Sequence, residues 1–278
     1  MVFFPNCKIN LGLNIISKRD DGYHNLETVF YPLNITDAVE VINDDKPAAT
    51  QNIQFSSSGI KIDGTLENNL CVKAYQLLKK DFSRLPAIKM HLLKNIPIGA
   101  GLGGGSADGA FTLLLLNKKC NLNLSTSQLI SYAQELGSDC PFFITGKPSY
   151  AQGRGEILEQ IDLNLSAYKF CIINPDIHIN TSWAFAQIKP AGYSSGIKQI
   201  IQQPVETWKY QLINDFEVPV LQHYPQLQFI KDELYKQGAV YATMSGSGST
   251  FIGIFDKEQK ILTGHWPLEY YVKEVLAV

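Results

Sequence analysis

A cluster of five glycines within seven residues, from Gly99 to Gly105, limits what the surrounding chain can fold into. Glycine loses more backbone freedom on folding than any other residue, so such a cluster is costly unless a loop needs it. An apolar segment typical of a strand precedes it at 88–93, and an apolar run with helical character follows at 111–116. Bare N–H groups in such a loop, with a helix N-terminus behind them, can surround an anion. The sequence therefore predicts a phosphate-binding loop.

Two known nucleotide-binding patterns resemble this cluster without matching it. Three of its glycines have the G-x-G-x-x-G spacing of dinucleotide-binding loops, which calls for an acidic residue about 20 positions later. No Asp or Glu occurs between Asp108 and Glu135. The P-loop pattern needs a lysine where this chain has Gly105. A flexible glycine linker is a third interpretation, but Pro97 and the flanking apolar runs argue against free flexibility.

Composition sets wide limits on the class of protein. A chain of 278 residues is long enough for two domains, and the small residues and glycines at 150–155 suggest a boundary that divides it into 1–152 and 153–278. A net charge of −2 gives no support for binding nucleic acid or an anionic membrane. No apolar run approaches the ~20 residues that cross a bilayer, and the sequence begins without a basic-then-apolar leader. The five cysteines and five histidines are scattered, so we expect no metal cluster, free thiols and a cytoplasmic protein.

The segment 7–16 alternates between apolar and polar residues, which predicts a half-buried strand. Its polar face carries Lys8, Asn10 and Asn14, a cation and two amides without an acid. This face suits an anion-binding cleft, and a solvated outer face is an equally good interpretation. An Asp-Gly turn follows, and next to it Tyr23 and His24 could recognise a flat polar ring or form a packed aromatic beside a surface imidazole.

Two later segments also carry candidate side chains. Asp139 stands two residues before Pro141, where a carboxylate commonly caps a helix N-terminus, and a catalytic base is the alternative. The run of small residues at 245–250 lets a backbone approach another backbone or a ligand, although a plain glycine hairpin would have the same composition.

Taken together, three segments resemble the GHMP kinase superfamily: K-I-N-L with D-G-Y-H at 8–11 and 21–24, P-x-G-A-G-L-G-G-G-S-A-D at 97–108, and S-G-S-G-S-T at 245–250. With G-S-D-C-P at 137–141, they look like the branch that acts on a cytidine diphosphate alcohol. The resemblance implies an α+β fold of two domains, a ribosomal S5 domain 2-like N-terminal domain and a ferredoxin-like C-terminal domain. It also implies a cleft for ATP and cytidine diphosphate methylerythritol, and transfer of the γ-phosphoryl group to the 2-hydroxyl in non-mevalonate isoprenoid synthesis.

The resemblance also implies roles for individual residues. Asp139 matches the catalytic aspartate, and Lys8 matches its lysine partner. Mg²⁺ would accompany ATP, with the Ser106 hydroxyl as a candidate ligand. The expected ATP-binding residues are Pro97, Ile98, Gly99, Ala100, Gly101, Leu102, Gly103, Gly104, Gly105, Ser106 and Ala107, with Asn69 and Lys94 near the adenine. The expected substrate-binding residues are Asn10, Tyr23, His24, Thr181, Phe185, Ser245, Gly246, Ser247 and Gly248.

Other functions stay open at this point. Another GHMP kinase specificity, such as homoserine or mevalonate, is the nearest alternative, and a dinucleotide-dependent oxidoreductase or a nucleotide sensor without catalysis is more distant. The role of Asp108 is open, because its charge suits the helix dipole but would repel phosphate. The sequence also leaves open whether the protein is a monomer or a homodimer.

Overall fold

The structure is a computed structural model that describes residues 1–45, 52–190, 192 and 196–277. Within these ranges the chain forms runs of strands separated by runs of α-helices, with three short 3-10 turns. The strands are β1 (Val2–Phe3), β2 (Asn6–Lys18), β3 (His24–Thr36), β4 (Ala38–Asn43), β5 (Ile53–Gly59), β6 (Ile88–Lys94), β7 (Ser149–Gly153), β8 (Ile157–Gln160), β9 (Tyr168–Asn174), β10 (Tyr241–Met244), β11 (Phe251–Asp256) and β12 (Tyr271–Leu276). The helices are α1 (Leu70–Asp81), α2 (Gly104–Lys119), α3 (Thr126–Leu136), α4 (Cys140–Thr145), α5 (Thr181–Gln187), α6 (Ile197–Ile200), α7 (Val205–Trp208), α8 (Glu217–His223) and α9 (Gln228–Lys236).

The chain divides into two compact units that are interleaved along the sequence. Unit 1 contains residues 1–7, 35–98 and 103–146, and unit 2 contains residues 8–34, 99–102 and 147–278. The predicted boundary between residues 152 and 153 falls inside β7, and it stays a prediction.

The described residues of unit 1 form one sheet and four α-helices. Its strands have the order β1-β4-β6-β5, in which β5 is parallel to β6 and the other pairs are antiparallel. In β6 the side chains alternate between buried and more exposed positions, as expected of a sheet with one covered face. Two helices begin at side-chain caps: Asn69 accepts a hydrogen bond from the Cys71 N–H at 2.9 Å, and Ser125 forms a capping box at α3.

Unit 2 contains two further sheets, with the strand orders β2-β3-β7-β8 and β10-β11-β9-β12. The second of these is antiparallel throughout. One of its faces contributes to a large apolar core with side chains of α8 and α9, among them Val220, Ile230 and Leu234. Ile230 and Leu234 are four residues apart in α9, so they lie on one face of that helix.

The structure modifies one expectation for β2. The predicted strand forms, but the solvated polar face is wrong, because Lys8, Asn10 and Asn14 are between 2% and 6% exposed. Both faces of β2 are therefore buried, and its polar residues need partners inside the protein. In the described residues, no helix is both long enough and apolar enough to cross a membrane.

Candidate functional site

In the glycine loop (residues 97–107), residues 99–102 belong to unit 2 and are held there by the Ser-Gly segment at 245–250. Gly101 has φ +78°, and a Cβ there would lie 2.0 Å from the carbonyl oxygen of Ser245. The Ser245 hydroxyl donates to the Gly101 carbonyl at 2.8 Å, and the Lys8 N–H donates to the Leu102 carbonyl at 3.0 Å. Close approach of two backbones therefore requires glycine at position 101, as the small-residue run at 245–250 suggested.

The second half of the glycine loop becomes the N-terminus of α2 in unit 1. Its N-cap is Gly103, in the left-handed region at φ +68°, and no side chain caps the helix. The first turn has no acidic residue. Gly105 is exposed, and a Cβ built on it would have no heavy atom within 4 Å. A 16-residue helix that begins with uncapped N–H groups and an open glycine is suited to bind an anion.

Beneath this helix start lies an ion cluster formed by Asp37, Lys94 and Asp108, each at most 3% exposed. The Lys94 ammonium bonds to Asp37 and lies 2.9 Å from Asp108 Oδ2. Burial raises the pKa of Asp108; the nearby Lys94 opposes this rise and Asp37 adds to it. The predicted contact of Lys94 with adenine stays a prediction, since the described contacts of its ammonium are with these two carboxylates.

Lys8 lies on β2 in unit 2 and is 4% exposed. Its ammonium donates to Asn10 Oδ1 at 2.7 Å and lies 4.5 Å from the centroid of the Phe30 ring. The Asn10 amide in turn donates to Thr28 Oγ1 at 3.0 Å. These contacts fix the ammonium in one place, so it is a preorganised cation rather than a mobile surface charge.

Asp139 occupies the N-cap position of α4 in unit 1, but its side chain makes no capping hydrogen bond. Asp139 therefore lies at the predicted N-cap position, but the prediction that its carboxylate accepts hydrogen bonds from the first N–H groups of the helix is wrong. Asp139 is partly exposed, and the next residue, Cys140, hydrogen-bonds through its thiol with Ser106 in the first turn of α2. Burial raises the pKa of this thiol to about 12, so it is neutral and unreactive. Within unit 1, the Cys140–Ser106 contact brings Asp139 beside the end of the glycine loop.

An aromatic group in unit 2 brings together His24 and Phe185. Their rings are stacked, with centroids 4.8 Å apart and an interplanar angle of 16°. Burial lowers the pKa of His24, and Lys18 lowers it further, which favours the neutral imidazole. Tyr23 has a different neighbour: the residue is 55% exposed, and its ring centroid lies 4.8 Å from the Arg154 guanidinium carbon.

Some of the remaining predicted residues contact one another, and the others have structural roles in the fold. Thr181 and Ser247 are brought together, with their hydroxyl oxygens 3.1 Å apart. Gly246 and Gly248 have φ of +57° and +91°, so their places in the Ser-Gly segment also require glycine. The side chain of Asn69 caps α1, and its predicted place near adenine stays a prediction.

Two residues near the glycine loop carry no signal that sequence reasoning found. The Asn214 amide donates to the carbonyls of Met244 and Gly246 at 2.7 and 2.8 Å, which holds the Ser-Gly segment in place. His178 lies beside the loop, since a Cβ on Gly99 would be 3.1 Å from its Nδ1. Only long-range contacts bring these residues to the loop, and no local pattern marks them.

Metal binding has no dedicated protein cage in the described part of the chain, where no group of three or more His, Cys, Asp or Glu could hold an ion. Mg²⁺ commonly keeps several waters and binds through one or two protein groups plus substrate phosphates. The Ser106 hydroxyl, in the first turn of α2, is the group that the sequence proposes for this ion.

Comparison with known proteins identifies the class. The model of the GHMP kinases N terminal domain matches residues 69–147, and the model of the GHMP kinases C terminal domain matches residues 206–263. The chain is therefore a GHMP kinase with the predicted α+β fold, and this class uses ATP as phosphoryl donor. The oxidoreductase and the non-catalytic sensor considered from the sequence are excluded.

Full-length relatives narrow the class to one family. A 4-diphosphocytidyl-2-C-methyl-D-erythritol kinase of Bacteroides fragilis is 52% identical to the chain, and the alignment covers 94% of both sequences. One of Bacteroides thetaiotaomicron is 51% identical, with 96% of both covered. A crystal structure of 4-(cytidine 5'-diphospho)-2C-methyl-D-erythritol kinase matches with a TM-score of 0.79 at 26% identity, covering 99% of each chain. The chain belongs to the family of 4-diphosphocytidyl-2-C-methyl-D-erythritol kinases.

Proposed function

We propose that the protein transfers the γ-phosphoryl group of ATP to the 2-hydroxyl of 4-diphosphocytidyl-2-C-methyl-D-erythritol, giving the 2-phosphate and ADP. The observation that carries this proposal is the identity of about half of all positions with kinases of that name over nearly the whole chain. Such a reaction serves the non-mevalonate route to isoprenoid precursors. None of the cysteines in the described residues is in a disulfide, as is usual in a reducing compartment, and we place the reaction in the cytoplasm, carried out by a monomer or a homodimer.

In this proposal the glycine loop holds the phosphates of ATP. The uncapped N–H groups of the first turn of α2 supply donors and a positive helix end, which compensate phosphate charge without a P-loop lysine. Open space at Gly105 leaves room for the phosphates to approach the backbone. Mg²⁺ bound with ATP would neutralise charge on the β- and γ-phosphates, and the Ser106 hydroxyl would help hold it.

Asp139 would be the base for the attacking 2-hydroxyl, and Lys8 would supply positive charge. Support for Asp139 comes from its position next to Cys140, which contacts the loop residue Ser106. Support for Lys8 comes from its backbone bond to Leu102 of the loop and its fixed ammonium. Phosphoryl transfer has a loose transition state, so positioning and electrostatics contribute most and proton removal a smaller share.

The cytosine ring would be recognised by the aromatic group of His24 and Phe185. Their rings already contact each other, so the base would lie against this pair rather than between its members. A neutral imidazole offers one donor and one acceptor. The acceptor complements the exocyclic amine of cytosine. Tyr23, Asn10, Thr181 and Ser247 are proposed to make the remaining contacts with the substrate.

The experiment that tests the reaction is identification of its product. Purified protein, Mg-ATP and the cytidyl substrate should yield a compound whose phosphorus NMR spectrum contains one new monoester signal, coupled to the branched C2 position. A phosphate on any other hydroxyl, or hydrolysis of ATP without a phosphorylated alcohol, would contradict the proposal.

A further inference from the structure

We infer that Asp37, Lys94 and Asp108 position the glycine loop, because this ion cluster ties the chain before the loop and the helix after it to one buried point of unit 1. The inference rests on the proposed function, in which the loop holds the phosphates of ATP. It concerns three residues that are 2% to 3% exposed, and it rests on their contacts with the two ends of the loop rather than with the nucleotide.

The chain before the loop is fixed by Asp37, which lies between β3 and β4. One oxygen of its carboxylate accepts two backbone hydrogen bonds, from Asn95 N–H at 2.5 Å and Ile96 N–H at 2.8 Å. These are the two residues that lead from the end of β6 to Pro97. A carboxylate that accepts adjacent N–H groups holds the direction of that turn, since charged acceptors form stronger hydrogen bonds than neutral ones.

The helix after the loop is fixed by Lys94, the last residue of β6. Its ammonium bonds to the second oxygen of Asp37 and, at 2.9 Å, to Asp108 Oδ2 near the start of α2. A Cβ on Gly104 would lie 2.9 Å from the same ammonium, so the first turn of α2 rests directly on it. Lys94 thereby connects the helix start to the carboxylate that holds residues 95 and 96.

The composition of the cluster favours positioning over stabilisation. Buried ions lose hydration that their mutual attraction often fails to offset, and apolar side chains of similar size commonly stabilise a protein as well or better. Two carboxylates share one ammonium, and Asp108 Oδ1 is buried without a hydrogen-bond partner. What the ions add over an apolar core is directional bonds, which fix the distance between the two ends of the loop.

Two single substitutions test the inference, each of which weakens one of the two ion pairs that Lys94 forms. In Asp37→Asn the amide oxygen can still accept from residues 95 and 96, but the amide NH₂ faces the ammonium. In Asp108→Asn the link to α2 loses its charge. Binding of the β,γ-imido analogue of ATP, measured by calorimetry with Mg²⁺, should weaken about tenfold or more in each variant. The KM for the cytidyl substrate should change less than about twofold, since the loop holds only the nucleotide.

Asp44→Asn is the matched control. Asp44 is a 7% exposed carboxylate that follows the same strand, β4, at its other end and accepts from Gln54 Nε2 at 2.9 Å. Its replacement should cost stability comparable to Asp37→Asn but leave analogue binding unchanged. The double variant Asp37→Asn/Asp108→Asn should bind no more weakly than the worse single variant, because either substitution already releases the loop.

A charge-free triple variant, Asp37→Asn/Lys94→Met/Asp108→Asn, separates positioning from folding. It leaves no buried ion without a partner, so it should keep a Tm near that of the natural protein and still bind the analogue about tenfold more weakly. Natural affinity in the folded triple variant would overturn the inference, and so would its failure to fold, which would assign the cluster to stability. Gly105→Ala identifies the other failure: if that variant binds the analogue normally, the phosphates lie elsewhere and the proposed function of the loop is wrong.

Discussion

In the proposed substrate site, His24 is the residue whose charge state would bear most directly on substrate choice. Burial and Lys18 lower its pKa below the ordinary value of 6.5, so the imidazole is neutral at pH 7 and gains a proton only in more acidic solution. Protonation removes its hydrogen-bond acceptor. The KM for the cytidyl substrate should therefore rise as the pH falls below the pKa of His24, while the KM for ATP stays nearly constant.

The matched variant for this pH dependence is His24→Gln, which keeps a donor and an acceptor but does not titrate. Its KM for the cytidyl substrate should be independent of pH between about 5 and 7.5. Steady-state kinetics over that range measures both proteins. The same acidic rise in KM for His24→Gln would show that another group titrates.

The proposed role of Asp139 is that of the base that accepts the proton of the attacking 2-hydroxyl. If it is the base, Asp139→Asn should lower kcat by roughly 10²-fold or more and leave the affinity for the ATP analogue nearly unchanged. Asp63→Asn, at a carboxylate that is 84% exposed in unit 1, is the control and should have natural kcat. Natural turnover in Asp139→Asn would leave this residue without a catalytic role.

At the scale of residues, sequence reasoning proposes roles for residues in recognisable segments, including Lys8, Asp139 and the glycines, and these roles stay predictions. It did not reach Asn214 or His178, because each acquires its role through contact with a distant part of the chain. It also left Asp108 open. The charge that would repel phosphate is instead buried against Lys94, and no local pattern reveals that partner.

At the scale of elements, helix α2 offers two glycines with opposite expected behaviour. Gly105 faces open space, whereas a Cβ on Gly109 would lie 2.9 Å from the Cβ of Leu70 in α1. Gly105→Ala should keep the Tm but raise the KM for ATP at least tenfold, since the methyl group would occupy the space proposed for phosphate. The control Gly264→Ala, at another glycine with open space around it, should change neither quantity.

Gly109→Ala tests packing in the same helix. The added methyl group must push α1 away from α2, which should cost about 1–3 kcal/mol of unfolding free energy, while the KM for ATP stays near its natural value. Thermal unfolding and steady-state kinetics measure the two effects. Equal loss of ATP affinity in the Gly105 and Gly109 variants would mean that the loop responds to general strain in α2 and not to blocked phosphate.

The elements around the glycine cluster could be predicted because their signals are local. The apolar run before the cluster is β6 and the run after it lies in α2, in agreement with periodicity and glycine content. The beginning of α2 could not be placed, since Gly104 and Gly105 are poor helix formers and yet lie inside the helix. The burial of both faces of β2 was also missed, because the pattern of one strand does not reveal what covers its polar side.

At the scale of the whole molecule, the sequence led to the GHMP kinase fold through segments far apart in the chain. The interleaving of the two units could not be read from it. Local composition suggests a boundary at 152/153, whereas the contacts group the hairpin of β2 and β3 mainly with the C-terminal half. Which strands pair across long distances depends on tertiary packing, and windows of sequence contain little of that information.

The central claim is that this kinase recognises the cytidyl part of its substrate, and ADP release tests it most directly. Purified protein with Mg-ATP should release ADP rapidly when 4-diphosphocytidyl-2-C-methyl-D-erythritol is added. It should release ADP at least 10²-fold more slowly with free methylerythritol, which carries the same hydroxyl but lacks the cytidine, since remote binding energy contributes to rate. Equal rates with the two alcohols would contradict the account.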